Sequence, residues 1–376
     1  MTHTNNKKLR VAVLFGGRSG EHEVSLVSAS SVIQNLDPEK YEVLPIGITK
    51  HGKWISGAGA MRLLKSGTEV KKSTALLRPE PTSELVNTGG QAKESLTVDV
   101  VFPVLHGPYG EDGTVQGFLE LTGIPYVGCG HLASAVCMDK VMQKKVLAAE
   151  GILQTPYVWF WSSEWGKDSG RITEEIEKKL QYPIFVKPSN LGSSVGISKA
   201  HDRGELLQAI REAIHYDRKV IVEQGVSDPR EIECAVIGNQ EPRCSALGEI
   251  IPSNEFYDYD AKYVDDKSES RIPADMPKET KKSITNTAIA AYKALDCEGM
   301  ARVDFLLSSD GMPYLNELNT IPGFTSISMY PKLWEASGMK YPQLLEELIG
   351  LALQRNKERK KLSVSYTPKK NWYANN

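Results

Sequence analysis

The sequence has no run of 18 or more apolar residues, so it offers no candidate transmembrane helix. It also lacks a surplus of either charge. With 45 basic and 47 acidic residues the formal net charge is -2, and no global charge argues for nucleic acid or an anionic membrane as a partner. Cysteine is sparse: five in 376 residues, at Cys129, Cys137, Cys234, Cys244 and Cys297. An odd count without a CxxC pair suggests neither a disulfide framework nor a zinc site. Thiols of this kind fit a reducing, cytoplasmic setting. The stretch from Met1 to Lys8 has no apolar segment and no small-residue cleavage site, so it does not read as a secretory signal. No internal repeat is present.

The length suits two or three domains. Leu9–Phe15 is a Val- and Leu-rich run that ends in Gly16-Gly17, and Val24–Asn35 then reads as a helix. Tyr41–Ile48 and Val98–Leu105 read as further strands, and this alternation predicts parallel β/α units in a first domain, residues 1–130. Between them, Ser56–Ser95 is polar and weakly periodic, and reads as a surface excursion with room for one helix. Ala133–Glu150 has the pattern of one long helix, with Gly151 as its stop signal. Tyr182–Lys187 and Val220–Gln224 read as strands flanking a helix, Gly204–His215, in a smaller domain placed at 131–220. Residues 221–376 carry the strands Glu231–Ile237, Ala246–Ile251, Ala301–Leu307 and Met312–Leu318, and the helix Glu279–Leu295. A polar, aromatic loop spans 252–277. Aperiodic loops of that length inside a domain are commonly either functional lids or disordered. The basic run from Arg355 to Lys361 reads as a solvated helix end rather than a nucleic-acid patch.

Several constellations carry chemistry. Alternate strand residues share a face, so Arg302 and Asp304 point one way, as do Glu317 and Asn319. A hairpin turning at Ser308–Gly311 would gather all four. Their oxygens suit Mg²⁺, which takes a few protein ligands and completes its shell with water and phosphates. Arg302 beside them would stabilise developing negative charge. Lys187-Pro188 leaves a strand into the Gly/Ser-rich loop Ser189 to Gly196, whose backbone N–H groups can cradle phosphate. This is not a Walker A loop, since no Gly-Lys-Ser/Thr closes it. Glu223-Gln224 at a strand end, followed by Glu231, would suit an adenine and ribose site. His106 sits among glycines at another strand end, where α/β sheets bind ligands. Gly16-Gly17 lacks the G-x-G-x-x-G spacing of a nicotinamide dehydrogenase.

Together these motifs resemble the D-alanine–D-alanine ligase family of the ATP-grasp superfamily, over about residues 8–355. The matching segments are Leu105-His106-Gly107 with Gly110 to Thr114, Met138-Asp139-Lys140, Val186 to Gly196, and Arg302-Val303-Asp304 with Asn316 to Thr320. The resemblance implies an α/β fold, α+β in parts. A parallel α/β domain precedes two α+β domains that sandwich ATP. It implies ligation of two D-alanines through an acyl phosphate, for peptidoglycan synthesis, by a cytoplasmic homodimer with two Mg²⁺ or Mn²⁺ ions.

Carried over by motif, Lys140 and Lys187 would bind phosphates, and Glu223 and Glu231 the adenine and ribose. Asp304, Glu317 and Asn319 would be metal ligands. Glu23 would hold the first D-alanine's ammonium, with His106 near its carboxylate. Arg302 and the Gly323 N–H would form the oxyanion site, and Ser328 would bind the second carboxylate. In the lid, Lys262 would reach the γ-phosphate. Tyr263 would bond with Ser193 and Glu23, and Tyr259 would line the substrate site. Three positions depart from commoner members: Asn190-Leu191 before the glycine, Gln224 for lysine, and Ile327 for histidine. A D-alanine–D-lactate ligase and a non-catalytic nucleotide-binding regulator are the competing readings. The lid sequence argues against the first and the complete Arg302, Asp304, Glu317, Asn319 set against the second.

Overall fold

The β-branched and leucine-rich run Leu9–Gly16 forms the middle of a four-stranded sheet in the computed structural model, which describes residues 7–57, 59–68, 75–87, 94–251 and 269–368. Its neighbours Tyr41–Ile48 and Val100–Val104 are both parallel to it, and Trp54–Ser56 adds an antiparallel edge. Parallel strands are buried on both faces, which is why these runs are apolar throughout rather than alternating. Val11 through Phe15 are fully buried. The surface excursion holds one short helix, Ala60–Lys65, and also a small antiparallel sheet of Ala75–Leu77, Glu84–Asn87 and Glu94–Thr97 that its weak periodicity did not announce.

The segment read as one helix is two. His131–Met138 ends at Asp139, whose extended backbone breaks the helix, and Lys140–Ala149 starts immediately after it. The Asp139 carboxylate accepts the N–H groups of Val141 and Met142, so it is an N-cap inside an otherwise helical pattern. Periodicity alone does not register such a break, because both halves keep good helix formers.

The central sheet is antiparallel, in the order Ser198–Ala200, Ile184–Pro188, Lys219–Gln224, Tyr157–Trp161. The strand Lys219–Gln224 runs across residue 220, where the second domain was expected to end. The helices Ser169–Lys179 and Arg203–Tyr216 supply this sheet's apolar cover through Ile172, Ile176, Leu206 and Ile210.

The third sheet runs Glu269–Arg271, Arg243–Ile251, Arg230–Gly238, Gly299–Leu307, Pro313–Asn319, all antiparallel. One face packs on helix Lys278–Ala294 and on Ala133, Cys137 and Leu147 of the two helices flanking Asp139. Those two helices therefore belong with the third sheet's core, not with the central sheet. A separate apolar cluster joins this sheet to the first one through Phe324, Trp334, Leu344 and Leu348. Phe324 meets Phe102 edge to face at 5.8 Å between ring centroids. The loop bearing Gly323 is thereby pinned against the first sheet. Among the described residues, no helix is long and apolar enough to cross a membrane.

Candidate functional site

The hairpin expected around Asp304 forms as the alternation predicts. Arg302 lies opposite Asn319 and Asp304 opposite Glu317, with a bulge just beyond Asp304. Opposite residues share a face, so all four converge. The next strand adds Glu233 opposite Asp304, and Glu231 follows two residues away on the same face, half-buried. Arg302 clasps both Asp304 oxygens, at 2.8 and 2.6 Å, and approaches Glu233 at 3.3 Å. Burial disfavours the guanidinium's charge, but Asp304 and Glu233 more than offset it and raise its pKa well above the ordinary value. The Asn319 amide donates to Asp304 at 3.0 Å.

Among the described residues, no cluster of three or more His, Cys, Asp and Glu side chains is suited to hold a metal by itself. Two carboxylates, Asp304 and Glu317, with the Asn319 amide on one face, form an incomplete oxygen set. That fits Mg²⁺ or Mn²⁺, whose remaining positions are taken by water and substrate phosphate.

Across from this face stands the central sheet. Lys187 and Glu223 lie on adjacent strands, same face, with Lys187 Nζ 2.7 Å from Glu223 Oε2. The helix Lys140–Ala149 connects the two faces. Lys140 donates to the Leu191 carbonyl of the Gly/Ser loop at 2.8 Å and lies 3.6 Å from Glu317. Gln143, one turn along, takes the Leu318 N–H at 3.2 Å and donates to the Cys137 carbonyl at 2.8 Å. Leu318 sits between Glu317 and Asn319, so Gln143 holds the backbone from which both project. Asp139 fastens the helix start to the central sheet through Ser189, at 2.7 Å, and through Lys219.

Ser193 and Ser194 both adopt positive φ, 48° and 59°. Consecutive residues in that strained region occur where a loop's N–H groups must be aimed. The Ser193 hydroxyl donates to Glu21, not to Glu23. Glu23 faces outward on the helix His22–Asn35, 62% exposed, and pairs with Lys50 at 2.6 Å. That pairing leads the effects that lower its carboxyl below the usual range. Glu21 precedes the helix, is buried, and its N–H is held by Ser19. The motif puts the ammonium role on Glu23, but helix phase turns that residue outward, and it is Glu21 that meets Ser193. Gly107 makes room for Glu21: at φ 74°, a Cβ there would lie 2.6 Å from Glu21 Oε2 and 2.5 Å from Ser19 Oγ.

His106 is buried between Glu111, 3.5 Å from Nδ1, and Ser28, 3.2 Å from Nε2. Burial opposes its positive charge, yet the hydrogen bond and charge of Glu111 carry the net pKa shift upward. The Ser28 hydroxyl also receives the Phe324 N–H at 3.4 Å, which links His106 to the loop bearing Gly323. A Cβ at Gly323 would lie 2.7 Å from Ser328 Oγ, so the two positions pack directly against each other. Ser328 in turn accepts from the Thr325 N–H at 3.0 Å. Gln224 pairs with the backbone of Gln181, at 2.7 and 2.6 Å, and Asn190 binds Asp217 at 2.8 and 2.9 Å. Ile327 is exposed. Tyr259, Lys262 and Tyr263 lie outside the described residues. Glu21, Ser28, Gln143 and Lys144 escaped sequence reasoning, because buried polar contacts between distant segments leave no local pattern.

The family model described as D-ala D-ala ligase N-terminus matches residues 10–129, and the one described as D-ala D-ala ligase C-terminus matches residues 146–350. A D-alanine–D-alanine ligase from Caldicellulosiruptor bescii is 53% identical over 360 residues, covering 95% of this chain and 99% of that one. One from Acetivibrio thermocellus is 52% identical over 364 residues, covering 93% and 96%. Among solved structures, the VanG D-Ala:D-Ser ligase from Enterococcus faecalis has a TM-score of 0.80 at 39% identity, covering 92% of this chain and 100% of that one. The D-alanine–D-alanine ligase from Coxiella burnetii has a TM-score of 0.78 at 36% identity, covering 94% and 96%. With an ATP-grasp fold and these matches along nearly its whole length, the chain belongs to the D-alanine–D-alanine ligase family.

Proposed function

We propose that this protein joins two D-alanine molecules at the expense of ATP, releasing ADP and phosphate, for cell-wall peptidoglycan. The observation that carries the reading is Lys140. It touches the Gly/Ser loop and the carboxylate strand at once, so a polyphosphate between them would meet lysine on one side and Asp304, Glu317 and Asn319 on the other.

Direct condensation of a carboxylate with an amine is unfavourable in water, so the first carboxylate must be activated. Lys140, Lys187 and the loop N–H groups would fix the triphosphate, and Glu223 and Glu231 the nucleoside. Bound Mg²⁺ or Mn²⁺ would be held by Asp304, Glu317 and Asn319 and would neutralise phosphate charge. Glu21, with Ser193, would orient the first D-alanine's ammonium, and His106 its carboxylate. Arg302 and the Gly323 N–H would steady the oxygen that gains charge when the second amine attacks, and Ser328 would hold the second carboxylate. Catalysis on this reading is mostly positioning and charge stabilisation. Lys262, Tyr263 and Tyr259 would close over the reactants and exclude water that would hydrolyse an acyl phosphate. A cytoplasmic homodimer belongs to the same reading.

The test is a product assay with purified protein, ATP and D-alanine, run beside mixtures with D-serine and D-lactate. ADP release matched by D-alanyl-D-alanine supports the reading. Ester formed from D-lactate, or a D-serine dipeptide, outpacing it would replace the second substrate. ATP binding without any turnover would favour a regulator.

A further inference from the structure

The ATP site holds a third buried lysine that the roles above leave unused. Lys144 is 1% exposed. Its ammonium lies 3.4 Å from Glu223 Oε1, 3.3 Å from Thr155 Oγ1 and 5.5 Å from the Tyr157 ring centroid. Lys187 takes the other oxygen of the same carboxylate. The two lysines are not equivalent. Lys144 is enclosed on every side by the helix that bears it and the central sheet, whereas the Lys187 side chain keeps 12% exposure, at the foot of the Gly/Ser loop.

Charge counting separates their tasks. A lone Lys187–Glu223 pair is neutral and presents little attraction to an anion. Lys144 makes the trio +1, and Lys140 with Glu317 adds nothing net. A buried uncompensated charge is costly unless an anion completes it. Burial alone would raise the Glu223 carboxyl, but Lys144 and Lys187 hold it down at about 2. Burial pulls the Lys144 ammonium below its ordinary range, against the attraction of Glu223.

We propose that Lys144 is a positioning residue: it serves as the permanent counter-ion of Glu223, so that Lys187 is free to turn from that carboxylate to the nucleotide's phosphates. The inference rests on the nucleotide reading above. Lys144 touches no phosphate itself and acts through Glu223.

A double-mutant cycle tests this, with ADP affinity measured by calorimetry on the full chain. Lys144→Met should weaken ADP at least tenfold, because Lys187 becomes captive to Glu223, while the KM for D-alanine stays within about twofold. In the Glu223→Gln background there is no carboxylate to neutralise, and adding Lys144→Met should change ADP affinity less than about twofold. Equal losses in both backgrounds would make Lys144 a direct phosphate ligand and overturn the proposal, as would unchanged affinity in Lys144→Met. If Lys144→Met alone fails to fold, Lys144→Gln replaces it and is judged by the same two comparisons. Failure of the unmodified chain to bind ADP would instead sink the nucleotide reading itself.

Discussion

Ser193 donates its hydroxyl to Glu21 across 172 residues of chain, joining the Gly/Ser loop to the turn before the first helix. This contact ties two parts of the site that no local pattern connects. It separates Glu21 from Glu23, two glutamates that look alike in the sequence. Replacing Glu21 by Gln should lower kcat/KM at least a hundredfold, with the larger share in the KM for the first D-alanine. Glu23→Gln loses only an exposed pair with Lys50 and should stay within about threefold. Exposed pairs contribute little, roughly 0–1 kcal/mol. Comparable damage from both would reject the distinction.

The metal face makes an uneven prediction. Asp304→Ala and Glu317→Ala should each abolish turnover. Only the first also removes both hydrogen bonds to half-buried Arg302, leaving Glu233 as its partner. Asp304→Ala should therefore cost about 1–3 kcal/mol of stability in urea titrations, and Glu317→Ala much less. Full activity in either variant would refute the metal assignment.

Gln143→Leu keeps the size of the side chain and removes its amide. The Leu318 N–H and the Cys137 carbonyl would then be buried without their partner. A loss of about 1–3 kcal/mol is expected. The strand carrying Glu317 and Asn319 should loosen with it, so the Mg²⁺ concentration giving half-maximal rate should rise several-fold. Unchanged stability would show that these bonds are dispensable.

His106 predicts a pH signature. Its folded pKa is raised, so the charged form is favoured by the fold. The stabilisation is fully present below the unfolded value near 6.5 and is lost as pH rises through the folded pKa. The stability difference between the unmodified chain and His106→Gln should thus be larger at pH 6 than at pH 9. The opposite trend would mean that burial, not Glu111, governs the ring.

Much of this was legible in the chain. The parallel strands announced themselves as apolar runs, and the alternation from Arg302 to Asn319 encoded a shared face before any pairing was known. The central strand Tyr157–Trp161 and the helix Met329–Ala336 went unread, and of the helix Tyr341–Arg359 only its basic end was expected, as a solvated one, whereas Arg355 is buried and donates to the Gly128 and Tyr126 carbonyls. The first carries aromatics on both faces rather than an apolar/polar alternation. The break at Asp139 was hidden because capping is a matter of backbone angle, and the surrounding residues all favour helix. Glu21, Ser28, Gln143 and Lys144 could not be picked out, since each acquires its meaning from a partner tens to hundreds of residues away.

The helix that starts at Asp139 sends Lys140, Gln143 and Lys144 from one face to three different places: the Gly/Ser loop, the carboxylate strand and Glu223. Such a helix is a ruler whose zero is Asp139. One residue inserted after Asp139 would rotate that face by about 100° and withdraw all three contacts together. Four residues would nearly restore the phase, about 40° off, but shift the face by about 6 Å. Single substitutions on this face are therefore expected to remove one contact at a time, and any change of length to remove all three at once.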